Sequence, residues 1–267
     1  MPKLSMNQMT TYRWSLLEDV TQYREHGFEG IGVWRRKVAD FGEERSLELL
    51  RDSELPVSNL LWGGGFTGAD GRSFRESIDD AREGIRLARA LDTNTLVIIS
   101  GARGGHTNNH AKSLLVDALK ELVPTAADEG VSLALEPFDR MFSKDWSFLF
   151  SVDDALEIVD RVAAPEMGLA LDVYHVWQDD GLLDRIPELA PLIRVVHLAD
   201  WREPPRSEND RVQLGEGVIP LADFVRALDA SGFDGYYDVE ILSDELWQAD
   251  YNDLIAESRR AFERIRS

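Results

Sequence analysis

The chain has 267 residues, 43% of them hydrophobic, a formal charge of -20 and no cysteine. Its length permits one domain of about 250 residues or two of about 130, and the missing cysteines exclude disulfides and thiolate metal sites. An acidic surface repels nucleic acid and anionic membranes, no window reaches the roughly 18 apolar residues of a membrane span, and the N-terminal MPKLSMNQMTTYRW lacks a secretory apolar core, so a cytoplasmic protein is expected.

Short β-like runs alternate with longer helical patterns. Residues 3–6 read as a strand, 14–26 as a helix with Ser15 as its cap, and 28–34 as a strand ending on Trp34. A helix over 43–53 leads to a strand over 56–62, which ends on Trp62 and runs into Gly63-Gly64-Gly65. Ile78, Ala81, Ile85 and Ala88 fall at helical spacing within 73–91. A strand over 95–100 precedes a helix over 109–129, in which Pro124 predicts a kink. The rhythm then repeats with strands over 131–136, 167–173, 193–198 and 236–241, and helices over 153–163, 182–189, 221–230 and 244–265. Strands alternating with helices predict a parallel sheet. Eight such units in about 250 residues predict a closed (β/α)8 barrel, one domain spanning 1–267; an open doubly wound sheet rarely needs eight consecutive units.

In such a barrel the chemistry sits at the C-terminal ends of the strands. The last four strands carry Glu136, Asp172, His197 and Glu240 at that end. Adjacent strands lie about 5 Å apart, so these groups must crowd together, and three crowded carboxylates would take up protons. One divalent cation removes the conflict. Three oxygen ligands and one imidazole suit Mn2+ first, then Mg2+ or Co2+, and Zn2+ less well. Singly, each of these residues also reads as a helix cap, a surface carboxylate or a core histidine; their coincidence at one end is what points to a metal.

The stretches LALEPF (133–138), LDVYH (171–175), VVHLAD (195–200), LGEGVIPL (214–221) and GYYDVEI (235–241) resemble the xylose isomerase-like TIM barrels called sugar phosphate isomerases/epimerases, a group that includes D-tagatose 3-epimerase, hydroxypyruvate isomerase and inosose isomerases. The resemblance implies a metal held by Glu136, Asp172, His197 and Glu240, with Glu136 and Glu240 as the acid/base pair. It also implies that His175 contacts substrate oxygens, and that such barrels form dimers or tetramers. The chain departs from the family where epimerases carry Glu-Pro-x-Asn-Arg and a further Glu. Here Asp139 replaces Asn, no Glu follows, and the stretch continues as Ser143-Lys144-Asp145-Trp146. The Arg expected soon after His197 has three candidates, Arg202, Arg206 and Arg211.

The expected substrate is a small sugar or sugar derivative. Trp34 and Trp62 close two strands at the active end, and Trp146, Trp177 and Trp201 follow three others; sugar rings stack on indoles, although each of these residues also suits core or lid packing. The loop SGARGGHTNNH (100–110) places Arg103 and His106 where they could touch substrate, against a plain helix start capped by Thr107 or Asn108. Two other activities share these features. A metal-dependent eliminase acting on 3-keto-glycosides needs the same proton abstraction, and a non-catalytic sugar-binding protein needs only the pocket. An apurinic endonuclease of the endonuclease IV type needs a histidine-rich zinc cluster, whereas this chain has five histidines in all.

Overall fold

The computed structural model describes residues 2–267. Eight parallel strands close a barrel: β1 (Lys3–Asn7), β2 (Gly30–Trp34), β3 (Val57–Gly64), β4 (Thr95–Ile99), β5 (Ser132–Glu136), β6 (Met167–Asp172), β7 (Ile193–Leu198) and, last in the chain, β10 (Tyr236–Val239), which pairs with both β7 and β1. Between β7 and β10, two short strands, β8 (Asp200–Trp201) and β9 (Arg211–Val212), form an antiparallel hairpin over the C-terminal mouth. The fold is the predicted (β/α)8 barrel. Among the described residues no helix is long and apolar enough to cross a membrane.

The helices shield the outer face of the strands. The predicted ones are present as α1 (Leu16–Glu25), α3 (Glu43–Ser53), α4 (Phe74–Ala90), α5 (Asn108–Glu129), α6 (Val152–Val162), α8 (Leu182–Leu189), α9 (Leu221–Ala230) and α10 (Tyr251–Arg266). Ser15 and Ser73 open α1 and α4 with reciprocal capping boxes to Glu18 and Glu76. Two short helices were not expected: α2 (Arg35–Phe41), which starts directly off β2 without a side-chain cap, and α7 (Val173–Val176), which starts directly off β6. The last helix begins at Tyr251 rather than at residue 244. The intervening segment is held to the hairpin loop through Asp244 N–H donating to Asn209 O, and Asp250 supplies the cap. Helix α5 runs on through Pro124.

The strands alternate with period two between an outer and an inner set of side chains. Leu133, Leu135, Leu169, Leu171, Val196, Leu198, Tyr237 and Val239 pack outward against the helices. Met9, Leu61, Val97, Ala134, Ala170 and Val195 fill the barrel axis. A polar layer shares that interior. Asp238, fully buried, accepts hydrogen bonds from Ser5 Oγ (2.6 Å), Asn7 Nδ2 (2.8 Å) and Asn59 Nδ2 (2.8 Å). Gly32 makes room for it, since a Cβ there would fall 2.2 Å from Asp238 Oδ2.

A second buried network fixes the rim at β1 and β2. Asp19 on α1 accepts from Gln8 Nε2 (2.7 Å), Thr11 Oγ1 (2.6 Å) and Lys37 Nζ (2.7 Å), and Gln8 Oε1 in turn accepts from the Trp34 backbone N–H (2.8 Å). Burial pushes the Asp19 carboxyl up to about 6, with Lys37 and the hydrogen bonds opposing that rise. Lys37→Met leaves this carboxylate buried without its cation and is expected to cost about 3–5 kcal/mol of stability, read as a lower midpoint in chemical denaturation. A change below about 0.5 kcal/mol, the size of an ordinary surface substitution, would show that the network is not stabilising.

Candidate active site

The period-two alternation builds the site. On β5 the interior residue Ala134 is followed two places later by Glu136, on β6 Ala170 by Asp172, on β7 Val195 by His197, and Asp238 on β10 by Glu240, one residue past the end of the strand. Each ionisable group is therefore the next inward-facing side chain above a packed interior layer. Register aligns them, with Asp172 opposite His197 between β6 and β7, and Asp238 opposite His197 between β10 and β7. One potential ligand atom from each of Glu136, Asp172, His197 and Glu240 lies within 4.8 Å of all the others, and all four residues are buried.

His197 sits in the middle. Its Nδ1 lies 3.0 Å from Glu136 Oε1 and 3.8 Å from Glu240 Oε2, and its Nε2 faces Asp238 Oδ2 at 3.9 Å without a hydrogen-bond partner. Burial alone would push the imidazole down. The charges of Glu240, Glu136 and Asp238 outweigh burial and hold it at about 10. Burial pushes the carboxyls of Glu136, Asp172 and Glu240 up, opposed by His197 and Arg211. Asp172 uses Oδ1 to cap α7, accepting from Tyr174 N–H at 2.9 Å, and turns Oδ2 into the cluster. Oδ2 lies 2.9 Å from Arg211 Nη1, but off the direction a hydrogen bond requires, so it has no hydrogen-bond partner.

This donor set fits a divalent cation. Three buried carboxylates and one imidazole converge, and the buried Asp172 Oδ2 lacks a hydrogen-bond partner. Hard oxygen donors with one nitrogen suit Mg2+, Mn2+ or Co2+, and tolerate Zn2+.

Arg211 belongs to the site more intimately than the sequence suggested. It comes from β9 and is 2% exposed. Its Nη1 donates to the Glu240 backbone oxygen (2.9 Å) and Oε2 (3.1 Å), its Nη2 lies 3.1 Å from His175 Nε2, and the guanidinium covers the Tyr174 ring at 4.5 Å. His175, on the short helix α7 that Asp172 caps, has Nε2 3.5 Å from Asp172 Oδ2 and stacks on Phe138 with ring centroids 4.2 Å apart. Burial, together with the charges of Arg211 and His197, pushes its imidazole well below the usual range. The neutral ring therefore accepts at Nε2 and carries its proton on Nδ1.

Trp34 and Trp62 stack with centroids 6.5 Å apart. They belong to an aromatic crescent that runs from Trp247 through Tyr12, Trp34, Trp62, Trp146 and Phe138 to His175. Arg202 is held elsewhere: with Arg206 it pairs with Asp210 and Glu245, clamping the hairpin loop. His106 is tied to the Thr67 carbonyl (3.1 Å) and Arg103 is exposed; neither lines the cluster. Asp238 was missed by the sequence reading, although its spacing of two residues from Glu240 turns both toward the barrel interior.

Comparison with known proteins agrees with this architecture. The inosose isomerase of Bacillus velezensis is 24% identical over 269 residues, covering 96% of this chain and 92% of the relative. The crystal structure of a protein from Sinorhizobium meliloti 1021 superposes with a TM-score of 0.92 at 32% identity, covering 98% of each chain. The IolI protein, crystallised with a zinc atom, superposes with a TM-score of 0.86 at 22% identity over 98% of this chain and 97% of its own. Residues 20–265 match the family described as xylose isomerase-like TIM barrel, and the chain belongs to that family.

Proposed function

We propose that the protein is a carbohydrate isomerase or epimerase that works by proton abstraction beside a carbonyl, with one divalent cation held by Glu136, Asp172, His197 and Glu240. The observation that carries this reading is the pair of buried glutamates flanking His197 Nδ1, at 3.0 and 3.8 Å, each with its carboxyl pushed up by burial. A carboxyl raised by burial is a better proton acceptor than an ordinary carboxylate and can give the proton back. The match to an inosose isomerase supports a cyclic or open-chain keto sugar as substrate. Mn2+ is our first choice of metal on donor chemistry, and the zinc of the IolI protein keeps Zn2+ beside Mg2+ and Co2+.

When bound, the cation would polarise the substrate carbonyl and offset the negative charge that grows on its oxygen as the neighbouring C–H is broken. Either glutamate takes the proton from carbon. Return to the same carbon from the opposite face inverts it and gives the epimer; return to the former carbonyl carbon, with the adjacent hydroxyl proton passing to the former carbonyl oxygen, gives the isomer. The Arg211 guanidinium and the neutral His175 hold the hydroxyls that flank the reacting carbons. Trp34 and Trp62 pack on the apolar face of the sugar, and Phe138 keeps His175 in place and water out.

Glu240→Gln is expected to lower C–H exchange by about 10²–10⁴-fold, followed by NMR in D2O with Mn2+-loaded protein and a panel of ketoses and inososes. Circular dichroism should be unchanged, and EDTA should abolish exchange in the unsubstituted protein. Exchange at the unsubstituted rate in Glu240→Gln would remove this residue from the chemistry.

Metal binding should also depend on pH in a defined direction. Without cation, His197 is held at about 10 and stays protonated through neutrality. Binding must expel that proton, so affinity should weaken about tenfold for each pH unit lowered between 8 and 6. Titration calorimetry of Mn2+ in buffers of different ionisation enthalpy reads the protons released. Affinity independent of pH would show that the cation displaces no proton from His197.

A further inference from the structure

The guanidinium that meets the buried carboxylates is carried by no barrel strand. Arg211 sits on β9, which pairs with β8 over two residues, Asp200 with Val212 and Trp201 with Arg211. A two-stranded ribbon is marginal in water even when it is longer, and closing the loop over residues 202–210 adds an entropic cost. The hairpin is held instead by the segment that follows Glu240. Arg211 N–H donates to the Leu242 carbonyl (3.1 Å), Asp210 forms an antiparallel bridge with Ser243, and Asp244 N–H donates to the Asn209 carbonyl (2.9 Å). Residues 209–211 thus run as an extra strand beside residues 242–244.

Successive side chains on such a strand point to opposite sides. Asp210 turns to Arg202 and Arg206, and Arg211 turns to the cluster. A slip of one residue would reverse both. It would bring a further carboxylate to the crowded ones and leave the guanidinium outside. The register is fixed on the Asp210 side. Asp210 Oδ1 accepts from Arg202 Nε (3.2 Å) and Arg206 Nε (3.0 Å), and Oδ2 accepts from the Arg206 backbone N–H (2.8 Å). Glu245 Oε2 accepts from Arg202 Nη2 (3.3 Å) and Arg206 Nη2 (2.6 Å). Three points are joined in this way: the start of the loop at Arg202, its end at Asp210, and the segment it packs on at Glu245. Exposed ion pairs contribute little to stability, and the Arg206 and Glu245 side chains are more than half exposed. Asp210 is buried, so its charge-assisted bonds act as a strict geometric constraint rather than as surface decoration.

We propose that Arg202, Arg206, Asp210 and Glu245 are positioning residues: by holding Asp210 to the loop side they set the register that delivers the Arg211 guanidinium to Asp172, Glu240 and His175. What Arg211 does there rests on the function proposed above, but its delivery is tested without cation, sugar or turnover. Arg211 Nη2 lies 3.1 Å from His175 Nε2, so the neutral imidazole of His175 reports on the guanidinium directly. Full-length protein labelled with 15N-histidine carries five such residues, and His175→Gln assigns the signal. Arg211→Met should shift the His175 Nε2 resonance, marking loss of the hydrogen bond. Asp210→Asn keeps the shape and removes the charge. It should shift the resonance in the same direction, by about half as much or more, and add nothing further in an Arg211→Met background. Glu245→Gln, at an exposed side chain, should give a smaller shift of the same sign with unchanged circular dichroism. A His175 signal unmoved by Arg211→Met, or unmoved by a folded Asp210→Asn protein, would overturn the assignment. So would an Asp210→Asn shift that persists undiminished in the double variant. If Asp210→Asn does not fold, an unmoved signal in Glu245→Gln overturns it. Absence of C–H exchange with these shifts intact would strike the catalytic reading and leave the positioning role standing.

Discussion

Three carboxyl groups and an imidazole, closed off from solvent within 4.8 Å of one another, set the terms for the rest of this molecule. Their mutual repulsion and the cost of burying them would disperse them if the scaffold were pliable. The barrel prevents that, because each group is anchored on a different strand directly above a close-packed interior layer. What remains is a site with a strong appetite for positive charge. His197 and Arg211 meet part of it from within the chain, and the carboxyls meet part by holding protons above their ordinary range. The proposed proton transfer would draw on that tension.

The polar layer beneath the cluster follows from the same constraint. Asp238 adds a fourth carboxylate to the barrel interior, tolerated because Ser5, Asn7 and Asn59 donate to it and Gly32 clears space. It faces Nε2 of His197 at 3.9 Å, on the side away from Glu136, and acts on that ring through its charge rather than through a hydrogen bond. The site is thus supported from below by polar side chains and roofed from above by the hairpin that carries Arg211.

Much of this was legible in the sequence. The apolar runs of β3 to β7 and the capping serine of α1 are local signals, and the four site residues stood out because each falls at the C-terminal end of a strand pattern. Helix α2 was not legible, since it has seven residues, no cap and no break from the strand before it. The segment after residue 243 reads as helix by composition, but the hairpin loop captures its backbone and delays the helix to Tyr251. Arg202, Arg206 and Arg211 were indistinguishable as letters in one loop. Only tertiary pairing separates them, because Asp210 and Glu245 capture two and leave the third to point inward.

The way Asp172 is tied down reaches beyond stability. One of its oxygens is committed to the first turn of α7, and that turn also carries His175. A carboxylate free to swing grips a large ion with both oxygens; this one offers a single oxygen at a fixed angle. For the cation proposed above, the helix cap would thereby limit Asp172 to a single oxygen. That would disfavour calcium, which draws on six to eight flexible oxygen ligands, and favour smaller ions content with a few well-placed donors.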